Sequence, residues 1–283
     1  MPNNEKSIAF LARTEEERLL LSRVGDLCEK AGYDTAATDF YNLGEQYLIR
    51  AYLSQCGLRE NENWLFWGGY PHAERQILML FPEYLTDVAR MDTETPMRES
   101  LLSAALSEDG ITALSVCGSG YRVLSHRDYL GSLLALGVER SVIGDIAVTD
   151  DRSAVVFVRG AISEYLSANL ERIGNDKVHI RILSKEDAVN TPDCRRYETL
   201  SDTVASLRLD GIVAAACNLP REKAKQLVSS DMVEVDFRPA NAPDTELVPG
   251  QILSVRGHGR FIFDATDGAS KKGRIRIRLR KLI

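Results

Sequence analysis

The amino-acid sequence predicts an α+β protein built from three domains. Apolar residues at helical spacing dominate residues 1–90. The elements of residues 91–185 follow the order strand, helix, strand, strand, helix, strand. Residues 207–283 combine two short helices with several strands and an excess of positive charge. The polar stretch 186–206, which contains Pro192, is interpreted as a linker.

The first domain, residues 1–90, is predicted to be mainly helical. Thr14 followed by Glu17 is a capping-box signal for the start of a helix. A second helix is predicted over residues 42–55. The aromatic and glycine-rich stretch 64–75, WLFWGGYPHAER, leads into a short apolar helix over residues 73–80. Its clustered aromatic residues are expected to be core, although base stacking is the alternative.

The second domain, residues 91–185, has the split βαβ order of ferredoxin-like and RNA-recognition-motif folds. The predicted elements are a strand over Ile111–Val116, a helix that begins near Ser125, a hairpin of residues 144–148 and 153–158, a helix over 161–174, and a strand over Val178–Leu183. The third strand lacks the aromatic pair with which RNA-recognition motifs stack bases. We therefore expect backbone contacts or a protein-binding surface here, with Arg127, Arg140 and Arg159 as candidates. Ordinary solvated arginines are the alternative.

The third domain, residues 207–283, begins with two helices. Apolar residues recur at helical spacing from Leu209 to Ala216, and Pro220 then opens the second helix, where its missing N–H costs nothing. Strands follow, and the last is unusual. Between Arg274 and Arg280 every even position is Arg and every odd position is Ile or Leu, which predicts a strand with one apolar and one guanidinium face.

Charge separates this tail from the rest of the chain. The whole chain carries a net charge of −6, with a pI near 5.4. Residues 207–283 contain 14 Lys and Arg against 9 Asp and Glu, so the remaining residues, with 21 against 32, carry −11. Such asymmetry is typical of a module that binds a polyanion, with nucleic acid as the first expectation and an acidic membrane as the second. The alternative to a polyanion-binding module is an ordinary charged surface that faces solvent.

Composition also limits the class of protein. The five cysteines are odd in number and contain no Cys-x-x-Cys pair, which argues against a disulfide framework and a zinc site and fits a reducing cytoplasm. The N-terminus lacks the features of a signal peptide, and no stretch is apolar enough to span a membrane. We expect a cytoplasmic monomer without metal or cofactor.

The candidate RNA-binding residues are cations of the tail. Guanidinium forks grip two phosphate oxygens each, and Gly257 and Gly259 allow the backbone beside them to approach a ligand closely. Because side chains cannot enter the deep groove of double-stranded RNA, such a surface would recognise shape and backbone more than sequence. The candidates are Arg208, Arg221, Lys225, Arg256, Arg260, Lys271, Lys272 and Arg274.

Two stretches of the tail resemble the S-four RNA-binding domain, named for a small-subunit ribosomal protein. They are RLDGIVAAACNLPREKAKQLVSSDMVEVDF, residues 208–237, and PGQILSVRGHGRF, residues 249–261. The upstream stretches WGGYPHAER and LSHRDYLGSLLALGVERSVIGDI are similar to the YlmH family. One departure concerns Val235-Asp236, where the S-four pattern usually has Val-Asn. The aspartate places a carboxylate at the edge of the expected RNA face.

The resemblance implies a non-enzymatic, cytoplasmic RNA-binding protein of three parts. Its partners would be ribosomal RNA, tRNA and the large ribosomal subunit, and its role would be quality control of stalled translation. An RNA-modifying enzyme is the alternative, because Arg208-Leu209-Asp210 resembles the catalytic motif of pseudouridine synthases. A third possibility is an adaptor whose basic tail binds acidic lipid.

Overall fold

The computed structural model describes residues 4–91, 99, 101, 110–270 and 272–283. This part of the chain is mixed α/β, with helices and three antiparallel sheets. It divides into two compact units, Met1–Cys194 and Arg195–Ile283, called here the N-terminal and C-terminal units. Within the described residues, no helix is both long and apolar enough to cross a membrane.

The N-terminal unit begins with a three-stranded sheet and its helices. The elements are α1 (Asn4–Leu11), α2 (Glu15–Lys30), β1 (Ala36–Tyr41), α3 (Leu43–Gln55), β2 (Trp64–Trp67), β3 (Gln76–Leu80) and α4 (Glu83–Met91), and the sheet order is β1-β3-β2. The predicted helix starts are present. The Thr14 hydroxyl accepts a hydrogen bond from the Glu17 N–H, and Asn42 with Glu45 forms a full capping box at the start of α3.

The prediction that residues 1–90 are mainly helical is wrong for residues 73–80, and it also missed the strands β1 and β2. Residues 76–80 form the central strand of the first sheet. Leu78 and Leu80 enter one hydrophobic core, while Ile77 and Met79 enter another on the opposite face. A strand buried on both faces has a continuous apolar sequence, which periodicity cannot distinguish from a short buried helix.

The second sheet of the N-terminal unit contains the elements predicted for residues 91–185. They are β4 (Ile111–Gly118), α5 (His126–Ala135), β5 (Ile143–Asp150), β6 (Ser153–Arg159), α6 (Ser163–Asn169), β7 (Arg172–Ile173), β8 (Asp176–Ile182) and α7 (Lys185–Val189). The sheet order is β5-β6-β4-β8-β7, and all neighbouring strands are antiparallel. The predicted helix over 161–174 is shorter than expected, because residues 172–173 pair with β8 and Gly174, with φ +56°, lies in the turn between them.

The C-terminal unit is one six-stranded sheet with a helix pair on one face. Its elements are β9 (Tyr197–Val204), α8 (Leu209–Cys217), α9 (Arg221–Ser229), β10 (Val233–Val235), β11 (Arg238–Pro239), β12 (Ile252–Val255), β13 (Gly259–Ala269) and β14 (Ile275–Leu282). The sheet order is β11-β10-β12-β13-β14-β9. Ile212 and Val213 of α8 and Val228 of α9 belong to the same fully buried core as the strands.

The predicted linker over residues 186–206 is not a linker throughout. Tyr197–Val204 is an edge strand that pairs with β14 in register from Tyr197↔Leu282 to Val204↔Ile275. Of its apolar residues, only Val204 is buried. Because most of the strand's side chains are polar and accessible, the segment lacks the hydrophobic alternation by which strands are predicted.

Candidate nucleic-acid interface

A buried aspartate lies at the start of the helix pair. Asp210 accepts hydrogen bonds from Arg221 Nε and Nη2, both at 3.1 Å, and lies 3.4 Å from Arg208 Nε. The Asp210 side chain is 5% exposed, whereas those of Arg221 and Arg208 are 53% and 40% exposed. A carboxylate this deeply buried requires such partners. Both predicted RNA-binding arginines therefore also hold α8 in place.

This arrangement bears on the Arg208-Leu209-Asp210 triplet. In a catalytic site, the aspartate would have to meet a substrate. Here the Asp210 carboxylate is buried, and two guanidinium groups occupy it.

Arg221 and Arg274 line a common cleft of about 340 Å³. Its other walls are the end of β9 and the end of α8, where Asn218 adopts a left-handed conformation with φ +51°. The Arg274 guanidinium donates to the Thr203 hydroxyl at 3.1 Å and to the Thr203 carbonyl. Two guanidiniums on one cleft are a suitable arrangement for a phosphate group.

Arg256 and Arg260 line a second recess at the turn between β12 and β13. Gly257 and Gly259 have φ +81° and +105°, so this turn requires glycine. The Arg260 guanidinium lies over the Phe237 ring at 5.8 Å. Two carboxylate residues, Asp231 and Glu234, also line the recess, so its charge is mixed.

The remaining predicted residues lie elsewhere. Lys225 is exposed on α9, and Lys272 is exposed in the turn between β13 and β14. Lys271 lies outside the described residues. The structure thus brings five of the eight predicted residues into two groups, which are Arg208, Arg221 and Arg274 in the first and Arg256 and Arg260 in the second.

Two of the four arginines of the β14 row, Arg278 and Arg280, are neutralised by carboxylates of the same unit. The predicted alternation is present, since Ile277 and Leu279 are each only 1% exposed in the core. On the other face, Arg278 Nε lies 3.2 Å from Asp264 and Arg280 Nη2 lies 2.9 Å from the same carboxylate. Asp267 is a second partner of Arg278 at 3.3 Å. Sequence reasoning missed these pairs because they depend on the register between β13 and β14.

Asp236, the departure from the S-four pattern, is engaged within the unit. It and Phe237 form the two central residues of the β10–β11 hairpin, and both have positive φ. The Asp236 carboxylate accepts hydrogen bonds from the Ile252 N–H at 3.0 Å and from Gln251 Nε2 at 2.8 Å. Its charge therefore stabilises the start of β12.

In the N-terminal unit, two of the three candidate arginines have structural roles. Arg140 donates to the Ile143 and Gly144 carbonyls, and burial, with the nearby Arg75 charge, lowers the pKa of Arg140 to about 10. Arg159 is 15% exposed and donates to the Gly110 carbonyl. Arg127 is exposed on α5.

The motifs WGGYPHAER and VIGDI meet at a half-buried carboxylate. Asp145 accepts hydrogen bonds from the Tyr70 hydroxyl at 3.0 Å, the Glu74 N–H at 2.7 Å and the Arg75 N–H at 2.9 Å. Burial raises the pKa of Asp145, against the opposite effect of these hydrogen bonds. The Tyr70 ring stacks on Phe157 of β6, with ring centres 4.6 Å apart. Trp64 and Tyr70 are buried, so these aromatic residues are core, as expected.

Other kinds of site are not evident in the described parts of the chain. Among those residues, no group of three His, Cys, Asp or Glu side chains could hold a metal ion. All five cysteines are free.

Comparison with known proteins points to the second sheet. Residues 117–187 match the family model described as "Putative RNA-binding domain in YlmH". The predicted resemblance to YlmH-type proteins is thereby confirmed for this segment. The chain is also 28% identical over 245 residues to "Ribosome-associated protein quality control protein P2" of Bacillus subtilis (strain 168), and the alignment covers 87% of this chain and 86% of that protein.

A solved structure, "Cell division protein ylmH from Streptococcus pneumoniae", is 16% identical, with a TM-score of 0.46. It covers 63% of this chain and 98% of that one. The S-four character of the C-terminal unit stays a prediction.

The matched segment contains polar side chains, two of them cationic, that were not among the predicted site residues. Lys177, His179 and Arg181 alternate with Val178, Ile180 and Ile182 along β8. The signal was the same period of two that was recognised in β14, in a strand with fewer cations.

Proposed function

We propose that this protein is a non-enzymatic RNA-binding protein that docks on structured ribosomal RNA or tRNA. We further propose that it works on the large ribosomal subunit in the quality control of stalled translation in the cytoplasm, as a monomer. The observation that carries the proposal is the match of residues 117–187 to a putative RNA-binding domain. The similarity to a ribosome-associated quality control protein extends over 87% of the chain, which supports the ribosomal setting.

For the C-terminal unit, we propose an S-four-type domain that contacts RNA phosphates. Its net charge is +5, from 16 Lys and Arg against 11 Asp and Glu in residues 195–283. The cleft between Arg221 and Arg274 would take one phosphate, and Arg256, Arg260, Lys225 and Lys272 would contact others. Neutralising about five phosphates would give a slope of log K against log salt of about −3.5 to −4.5.

The non-enzymatic reading is supported at the one triplet that suggested catalysis. Asp210 is buried and binds the guanidinium groups of Arg208 and Arg221. This structural role explains the Arg208-Leu209-Asp210 triplet without a catalytic function. An RNA-modifying activity is therefore not favoured.

The test must use cations with no structural role. Arg221 forms an ion pair with the buried Asp210, so replacing it would change the stability of the protein as well as its affinity for RNA. Lys225, Arg256 and Lys272 are exposed, and we would replace all three by Ala in the full chain. Because each removed cation loses a phosphate contact, we expect at least about a tenfold weaker Kd for purified large ribosomal subunits in cosedimentation, with an unchanged Tm.

A matched control removes three exposed cations from the N-terminal unit, with Lys6, Arg23 and Lys30 changed to Ala. This control should bind like the wild type. Equal binding by both triple variants would remove the C-terminal surface from the proposal.

A further inference from the structure

The strand β8 presents two cations, Lys177 and Arg181, with the imidazole of His179 between them, as a row on one face of the second sheet. Lys177, His179 and Arg181 are exposed, while Val178 and Ile180 point to the opposite side and pack on the core. In the register of the sheet, Cys117 of β4 lies opposite His179, and Ser115 lies opposite Arg181. The exposed cations therefore share a face with small polar residues.

Part of this face is covered by the protein itself. Tyr70 stacks on Phe157, and Ala188 of α7 joins them with Ala113 in a small buried cluster. Ala113 pairs with Phe157 toward one end of strand β4, and Cys117 pairs with Ser153 toward the other. The aromatic position of β6 is thus occupied, and the accessible part of the face is the end with Cys117, Ser153 and the cations of β8.

These cations differ from the arginine row of β14. Within the described residues, Lys177, His179 and Arg181 have no ion-pair partner, whereas Arg278 and Arg280 share Asp264. The one carboxylate of β8, Asp176, is 5% exposed and lies on the core side of the strand. The row is therefore available to an anionic ligand.

A constrained loop places an aromatic ring at the end of this row. The Ser119 hydroxyl donates to the buried Asp176 carboxylate and accepts from the Tyr121 N–H at 3.2 Å. A Cβ at Gly118 would lie 2.7 Å from Asp176 Oδ2, so only glycine fits this approach. Tyr121 is 93% exposed. The hydrogen bonds fix the backbone conformation of the loop, whereas the exposed Tyr121 ring does not pack against the rest of the protein.

Two guanidinium groups lie at this loop, that of Arg122 within it and that of Arg152 from the turn between β5 and β6. Arg122 forms an ion pair with Asp128 at 3.2 Å, and Arg152 lies against Gly120. In the register of the sheet, Gly118 pairs with Val178, so the loop that contains Tyr121 begins at the end of β8 at which Lys177 lies. An exposed aromatic ring beside regularly spaced cations is the arrangement with which proteins bind single-stranded nucleic acid.

We propose that β8 and the Tyr121 loop bind an unpaired RNA strand. Lys177 and Arg181 would contact its phosphates, and Tyr121 would stack on a base. Alternate residues of a strand are about 6.6 Å apart, so the row would follow an extended backbone. This inference rests on the proposed function and deepens it, because it names the face of residues 117–187 that contacts RNA and the unpaired state of that RNA.

The test uses the full chain and a fluorescein-labelled twelve-residue oligouridine in fluorescence anisotropy. Changing Lys177 and Arg181 together to Ala should weaken the Kd about tenfold and reduce the salt slope by about 1.4, the value for two single-strand phosphates. Tyr121→Ala should weaken the Kd about tenfold through lost stacking, while Tyr121→Phe, which keeps the ring, should stay within about twofold.

The control changes Arg23 and Lys30 to Ala, which removes the same charge from a different part of the N-terminal unit. An unchanged Kd in the Lys177 and Arg181 variant, with an unchanged Tm, would overturn the inference. The inference would also be overturned if the wild-type protein did not bind oligouridine but still cosedimented with large subunits. In that case the proposed function stands. If the Lys177 and Arg181 variant no longer bound large subunits but still bound oligouridine, β8 would contact a ribosomal protein. That result would also overturn the inference.

Discussion

At the residue scale, three aspartates, of which Asp176 and Asp210 are buried and Asp145 is half-buried, connect parts of the chain. Asp145 joins two segments of the N-terminal unit, Asp176 fixes the Tyr121 loop, and Asp210 anchors the helix pair of the C-terminal unit. Asp145 and Asp210 each accept several hydrogen bonds, whereas Asp176 accepts one from the Ser119 hydroxyl. Arginines in this protein therefore divide into those that satisfy a buried carboxylate and those that are available to a ligand, and sequence alone does not separate the two.

Arg221→Ala should lower stability, because it leaves the Asp210 carboxylate with Arg208 as its remaining charged partner. We expect a loss of about 2 kcal/mol in the free energy of unfolding, measured by urea denaturation. Lys225→Ala, one turn along the same helix, is the matched control. Since Lys225 is exposed, that change should stay within about 0.5 kcal/mol. Equal stability of the two variants would argue against a structural role for the Arg221–Asp210 pair.

At the scale of elements, β9 completes the sheet of the C-terminal unit. It pairs with β14 along its whole length and contributes Val204 to the core. Without it, β14 would become an exposed edge with alternating apolar and arginine side chains, an arrangement prone to aggregation.

The fragment 195–283 should consequently fold, and the fragment 207–283, which matches the domain boundary predicted from sequence, should not. We expect a cooperative thermal transition by circular dichroism for the longer fragment alone. Soluble, cooperatively melting protein from both fragments would show that β9 is dispensable.

The contrast between predicted and missed elements has a physical basis. Helices with capping residues, such as Thr14 and Asn42, begin where the sequence predicts, because the cap is a local interaction. The strands β3 and β9 were missed because their signal depends on what covers them. The first is buried on both faces, and the second is a polar edge.

The same distinction applies to the candidate site. The alternation in β14 was predictable, whereas its neutralisation by Asp264 and Asp267 depends on strand register. Long-range pairs of this kind are invisible to a reading of local sequence.

At the scale of the whole molecule, the two units differ in charge. The N-terminal unit carries −11, from 19 Lys and Arg against 30 Asp and Glu, and the C-terminal unit carries +5. A cationic row such as β8 on the acidic unit is therefore a local exception. Two RNA-contacting faces on two units would let one protein engage a folded and an unpaired part of the same ribosomal RNA.

Because the two faces share no residue, their losses should add. A variant that combines the Lys225, Arg256 and Lys272 changes with those of Lys177 and Arg181 should lose large-subunit affinity by the product of the separate factors, within about 0.5 kcal/mol. Cosedimentation at a fixed salt concentration measures this. A combined variant no weaker than its weaker parent would mean that only one face touches the ribosome.

The stack of Tyr70 on Phe157 has a consequence for specificity. In RNA-recognition motifs, aromatic rings on the sheet stack on nucleobases. Here the face of the Phe157 ring is covered by the ring of Tyr70, whose hydroxyl donates a hydrogen bond to Asp145. Under the proposed function, Phe157 is therefore not available to stack on a base, and RNA would be contacted mainly through its ribose-phosphate chain.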